Sequence, residues 1–392
     1  MLLASKLMEP RFSGGAPKRQ SALVPDRRVR YACVMVIFTT FLLLAATQAP
    51  AQASAHASAE PLPAESHNFG DWVVACDNGL RCKAVSLVPA LSDEEAEKVP
   101  DPWERFGVMR LEREAGAATS LEITITDFEG VPARLLAGDQ PLDVRFAPAE
   151  EGVWRVIPAD LDGFISNMYS GTLVAQDAAG KALAEFALGG SHGAMLYMDE
   201  RQGRLRTPTA LVRKGSRPAS LVPPPARLPV VTRAPVTTEK PLKLNAAQLR
   251  DARRRTGCVR EEMGGEDSQS YHALGNGRTL VLLSCGSGAY NFNSLPMIAR
   301  RERGAVRVEP AGVDERLEAF EDRPARFLVT NADYDPAERR LVSYAKGRGL
   351  GDCGIVSFYA WDGTRFRLVR QDEMSECRGT PDMLTTWQVE ER

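Results

Sequence analysis

Three observations predict a mainly β fold with a few helices (α+β), built as two disulfide-stapled β-rich domains joined by a Pro-rich linker. Short runs with strand character recur through both halves of the 392-residue chain. Six cysteines, Cys76, Cys82, Cys258, Cys285, Cys353 and Cys377, follow an N-terminal apolar segment, and an even count favours disulfides in an exported chain. Seven prolines (Pro218, Pro223, Pro224, Pro225, Pro229, Pro235, Pro241) fall within residues 213–243, a density that favours extended polyproline structure over regular elements. That stretch separates a first domain at 66–212 from a second at 244–392. The apolar content of 44% suffices for hydrophobic cores, and no fixed-period repeat signals a solenoid or propeller.

Residues 1–57 read as a cleaved signal peptide. Arg27, Arg28 and Arg30 precede an apolar run from Tyr31 to Ala46, and small residues at Ala51, Ala53 and Ala55 follow it. The run is shorter than the ~20 residues of a spanning helix, which argues against a retained anchor. Cys33 is expected to leave with the signal. The protein is therefore expected in the periplasm, touching the membrane only through that signal. Residues 1–53 carry seven Lys or Arg against Glu9 and Asp26, so a formal charge of −2 for the chain leaves −7 on the rest. An acidic mature chain without a Lys/Arg cluster argues against nucleic acid as partner.

In the first domain, strands are expected at 71–76 and 81–87 around Asn78-Gly79, a hairpin turn pair. A three-residue loop of Asn78, Gly79 and Leu80 sets Cys76 opposite Cys82, which suits a short disulfide. A further strand is expected at 108–112. In Leu121–Thr126, Leu121, Ile123 and Ile125 alternate with Glu122, Thr124 and Thr126, the period of a half-buried strand. Strands at 142–146 and 153–157 follow. A helix near 191–202 has Ser191 as expected N-cap, Gly203 after its end, and Ala194, Met195 and Met198 as an apolar stripe.

The second domain opens with a helix in which Asn245 and Gln248 have capping-box spacing and Gly257 supplies the stop. Strands are expected at 280–285, 326–329 and 341–344. A hairpin at 358–361 and 365–369 turns through Asp362-Gly363. Sequence proximity favours pairing Cys258 with Cys285 and Cys353 with Cys377. A zinc site from those four thiolates lacks the usual C-x2-C spacing.

Two motifs carry chemistry elsewhere. Gly189-Gly190-Ser191-His192-Gly193 has the G-x-S-x-G form of a nucleophile elbow, with Ser191 the candidate nucleophile, but the next histidine, His272, lies beyond the linker. Gly349-Leu350-Gly351-Asp352-Cys353-Gly354 has the G-x-G-x-x-G form, yet the sequence after it is strand-like, whereas a dinucleotide site needs a helix there. Asn331, Asp333 and Asp335 have the 1, 3, 5 spacing of a calcium loop without its glycine and glutamate, so a turn is expected and no metal. His67 and His192 stand without metal-ligand spacing. The polar, aromatic loop with Ser287, Tyr290, Asn291 and Asn293, together with Lys346 and Arg348 of the glycine-rich loop, offers rings, amides and cations to a ligand; Tyr359 and Trp361 are compatible with the same surface, but β proteins routinely bury aromatics and the core is the expected place for such rings.

The strings FGDWVVACDNGLRC, LGGSHGAMLYMDERQGR, LLSCGSGAYN, KGRGLGDCG and YAWDGTRF together resemble the bacterial domain of unknown function 1176 family. The first half is also similar to the invasion-associated locus B family, through the Asp71-Trp72 strand and the paired early cysteines. The resemblance implies an exported protein of Gram-negative bacteria and no particular activity. The expected function is that of a non-catalytic periplasmic or envelope protein, without cofactor, that binds a macromolecule or a cell-wall-derived ligand: an envelope protein, a peptide or a saccharide. A serine hydrolase using Ser191 and an inhibitor of a hydrolase are the alternatives.

Overall fold

The computed structural model describes residues 63–90, 102–118, 121–258, 269–314, 328–380 and 382–392. The signal peptide expected at 1–57 lies outside the described residues. The first half carries strands β1 (His67–Phe69), β2 (Trp72–Cys76), β3 (Cys82–Ser86), β4 (Val108–Arg113), β5 (Leu121–Thr126), β6 (Arg134–Ala137), β7 (Gln140–Pro141), β8 (Val144–Glu150), β9 (Val153–Pro158), β10 (Thr172–Gln176) and β11 (Ala182–Ala187). Its helices are α1 (Pro102–Arg105), α2 (Leu161–Ser166) and α3 (Ser191–Arg201). A seven-stranded sheet in the order β1-β2-β3-β4-β5-β9-β8 and a four-stranded sheet β11-β10-β6-β7 share one core with α2 and α3. Trp72, Met109, Leu111, Ile125, Phe186 and Met195 are among the buried residues that form it.

The β2–β3 hairpin is central. Trp72, Val74 and Cys76 point into that first core, while Val73 and Ala75 join Val85, Leu87, Val108, Cys353, Met374 and Leu384 in another buried cluster. Five consecutive apolar residues are what a strand covered on both faces requires. The second cluster draws on both halves of the chain, and Ala59–Arg392 pack as one unit.

The second half carries β12 (Val230–Val231), α4 (Ala246–Thr256), β13 (Gln269–Gly275), β14 (Arg278–Ser287), β15 (Phe292–Glu302), β16 (Ala305–Pro310), β17 (Val329–Thr330), β18 (Asp333–Asp335), β19 (Arg340–Lys346), β20 (Gly354–Trp361), β21 (Phe366–Met374), β22 (Leu384–Gln388) and β23 (Glu390–Glu391). β13-β14-β15-β16, with β17 on β15, form one sheet, and β18-β19-β20-β21-β22 form another. β14 is again buried on both faces: Val281 and Leu283 pack with Leu244, Leu249 and Ala252 on and just before α4, and Leu280 and Leu282 pack on Leu341, Tyr359, Phe366 and Trp387 of the other sheet. α4 has both arms of its capping box, Gln248 N–H to Asn245 Oδ1 at 3.0 Å and Asn245 N–H to Gln248 Oε1 at 2.9 Å, and ends on left-handed Gly257.

The proline-rich segment is bonded along its length. Pro223 and Pro225 lie over Gly203 and Gly116 of the first half. Val230 and Val231 pair in parallel with Glu390 and Glu391, and Ala234 N–H reaches Trp361 O at 2.8 Å.

Two points differ from expectation, besides elements such as α2, β6, β10, β11 and β13 that the sequence pattern does not mark. Ser191 is the first residue of α3 rather than its cap; Gly190, at φ 98°, takes the cap position, where any Cβ would overlap the Phe69 carbonyl. β15 runs through Pro296 and paired arginines that mask its strand character. Tyr359 and Trp361 are core residues, 2% and 5% exposed, which is the expected reading of aromatics in a β protein and removes them from the candidate surface.

Candidate functional site

Disulfides close Cys76–Cys82, Cys258–Cys285 and Cys353–Cys377, and such bonds belong to an oxidising, extracytoplasmic compartment. Among the described residues no helix is long and apolar enough to cross a membrane. Cys76 and Cys82 face each other in the β2–β3 ladder across a three-residue loop, with Leu80 rather than Gly79 in the left-handed conformation.

The two loops singled out by composition, 286–293 and 346–354, meet. Asn291 and Lys346 exchange bonds, Asn291 Nδ2 donating to Lys346 O at 3.0 Å and Lys346 N–H to Asn291 Oδ1 at 3.1 Å. Tyr290 Oη donates to Gly347 O at 2.9 Å. Asn331, held at φ 43°, donates through Nδ2 to Asn291 Oδ1 and to Tyr344 O, both at 2.9 Å, and accepts from Phe292 N–H at 3.0 Å. Asn293 lies within β15 and accepts from the Thr330 hydroxyl at 3.0 Å. Ser287 ends β14, opposite Phe292 in register. The asparagines thus position backbone instead of facing solvent.

Arg348 makes a two-pronged pair with Asp352, whose other bond comes from Gly379 N–H at 2.8 Å. Gly347 sits directly over the Cys353–Cys377 sulfurs. The hydrogen bonds from Arg348 hold the Asp352 carboxyl below its usual range. A carboxyl depressed in the folded state contributes stability in full above its unfolded value of ~3.9 and loses it as pH falls through the folded value. Protection of the Gly379 amide from hydrogen exchange is therefore expected to hold constant from about pH 8 to 5 and to fall below about pH 4.

Three large apolar side chains remain outside on these loops: Tyr290 at 36%, Phe292 at 58% and Leu350 at 76% exposure. Phe292, between Asn291 and Asn293, and Leu350, between Gly349 and Gly351, are the exposed side chains that sequence reasoning did not single out, since an apolar residue in such a loop reads equally as core. The glycine-rich stretch 349–354 connects β19 to β20 antiparallel and leads into a strand.

Ser191 is fully buried and donates its hydroxyl to Met168 O, which anchors the start of α3. His192 packs on Tyr169 at 4.4 Å between centroids, His67 on Tyr197 at 4.6 Å, and His272 on Tyr334 at 5.1 Å. Asp335 accepts from Ala337 N–H at 2.8 Å and Glu338 N–H at 3.1 Å, closing a turn. Among the described residues no three His, Cys, Asp or Glu side chains gather as a metal site.

The string FGDWVVACDNGLRC has a second set of contacts. Asp71 N–H donates to Gly189 O at 2.6 Å, and Trp72 Nε1 to Ala187 O at 2.9 Å. Arg378, next to Cys377, donates to Val88 O and Gly70 O, both at 2.8 Å, and pairs with Asp71. Asn78 and Gln388 exchange bonds at 2.9 Å each, while Gln388 Nε2 donates to Asp77 Oδ2 at 2.5 Å. Burial raises the Asp77 carboxyl above its ordinary value, against the bonds from Arg81, Gly79 and Gln388. Lys83 meets Asp382 at 3.1 Å, and Arg110 pairs with the same carboxylate. The hairpin turn is thus a joint between the two halves.

No solved structure matches the chain. It is 29% identical over 327 residues to the uncharacterized protein YpfG of Escherichia coli (strain K12), covering 79% of this chain and 88% of that protein. The family model described as protein of unknown function (DUF1176) matches residues 66–390, and the chain belongs to that family.

Proposed function

We propose that the protein is an exported, non-catalytic periplasmic or envelope protein that binds a cell-wall-derived ligand, saccharide or peptide, on the joined loops 286–293 and 346–354. One observation carries this reading: Tyr290, Phe292 and Leu350 stand exposed on loops that Asn291, Asn331 and the Cys353–Cys377 disulfide hold in place. Rings offer faces to sugars and aliphatic side chains, and a pre-ordered surface loses little entropy on binding. Lys346 adds a cation beside them, and Arg348 stands in its pair with Asp352.

Export through residues 1–57 belongs to the same reading. The protein purified from periplasm is expected to have an intact mass that begins between about residues 52 and 58 and to contain no free thiol; a retained leader or alkylatable cysteines contradict export with three disulfides. Two domains, at 66–212 and 244–392 about the 213–243 segment, belong to this proposal: each half contributes a core of its own, and a further buried cluster joins them. The proposal includes a likeness of the first half to invasion-associated locus B, through Asp71-Trp72 and Cys76 with Cys82. Binding is tested by calorimetric titration with soluble cell-wall fragments, in which Tyr290→Ala and Leu350→Ala weaken affinity.

A further inference from the structure

The first half buries two neighbouring arginines around one carboxylate. Arg113, at the end of β4, and Arg204, just after α3, are 2% and 0% exposed. Among the described residues Asp199 supplies the carboxylate bonded to Arg113, accepting from Nη2 at 2.8 Å. Arg204 is held by neutral oxygens: Gln202 Oε1 at 3.2 Å, Gly116 O at 2.5 Å and Ala118 O at 2.6 Å. Arg113 Nε and Nη1 and Arg204 Nη1 have no hydrogen-bond partner among the described residues. Within this cluster of described residues two guanidiniums face one carboxylate, and buried charges ordinarily find a counter-charge. Burial, with repulsion from Arg204, brings Arg113 down to about 10 despite Asp199.

Arg113 also forms part of the wall of a cavity of about 50 Å³, together with Leu121, Ile165, Ala210 and Lys214. Lys214 stands at the exposed rim, paired with Asp162. Such a volume holds a few waters or one small ion and excludes a nucleotide or a sugar ring. Protein on one side of the cavity strengthens the field of Arg113 there.

We propose that this cavity is a small-oxyanion site, taking a carboxylate or phosphate group as counter-charge to Arg113, with Lys214 as the cation at its mouth. Asp162 competes for Lys214 and opposes the anion. The site is separate from the loops at 286–293 and 346–354.

The test is the thermal unfolding midpoint of the full chain, titrated with inorganic phosphate and, separately, with acetate at fixed ionic strength. Wild type is expected to show a saturable rise. Lys214→Ala is expected to weaken the half-saturation roughly two- to fivefold, the span of one exposed ionic contact, and Asp162→Asn to tighten it by a similar factor. Both changes lie on the surface and leave the buried arginines in place. A response to acetate as well as phosphate assigns the carboxylate class; a response to phosphate alone assigns phosphate. No saturable rise with either anion, or the same half-saturation in all three proteins, overturns the proposal.

Discussion

Asp199→Ala is expected to destabilise the protein by about 3–5 kcal/mol, the cost of leaving a buried ion without its partner. The Asp199 side chain is fully buried on α3. Besides Arg113 it accepts from Leu211 N–H at 3.0 and 2.8 Å and from Val212 N–H at 3.0 Å, so it also fixes the chain leaving the first half. Its loss leaves two buried arginines without a carboxylate and two backbone N–H groups without their acceptor. Urea unfolding measures the change. A loss under about 1 kcal/mol, the level of an ordinary surface pair, contradicts this account of the interior.

Removing Cys353–Cys377 by the double change to alanine is expected to cost about 2–5 kcal/mol. The bond spans 24 residues of sequence, and Cys353 lies in the apolar cluster shared by the two halves. It also pins Gly347 and sits beside Arg378, whose three acceptors belong to the first half. The same variant is therefore expected to lose stability and ligand binding together. The Cys258–Cys285 pair, in the core beneath α4, is expected to affect stability without that loss of binding.

Much of the fold was written locally. The capping box of α4 needs only Asn245, Gln248 and Gly257, and the register of Cys76 on Cys82 follows from a three-residue loop. What depends on distant neighbours was not legible. Ser191 looked like a cap because its hydroxyl type fits one, but the backbone of Phe69, over a hundred residues earlier, leaves room at the cap only for glycine. Tyr359 and Trp361 could not be told from Tyr290 by type, since the direction of a ring is set by the sheet packed on it.

The candidate loops show the same limit. Their composition marked both, and Asn291 and Tyr290 join them, yet the residue that braces Asn291 against β19 is Asn331, whose spacing with Asp333 and Asp335 resembled a calcium loop. The asparagines expected to meet a ligand are used to align backbone, while Phe292 and Leu350 carry the exposed surface. Likewise, FGDWVVACDNGLRC reads as a strand and a turn, and only the folded chain reveals Arg378 and Gln388 bonded across it.

The most direct measurement is calorimetric titration of the purified protein with soluble cell-wall fragments, in three arms: the sugar alone, the peptide alone and the two linked. Wild type is expected to bind at least one, Tyr290→Ala and Leu350→Ala to bind it about five- to tenfold more weakly, and Val131→Ala, an exposed change on the first half, to bind it unchanged. Absence of binding in every arm, or equal affinity in all four proteins, would contradict a ligand surface on the joined loops.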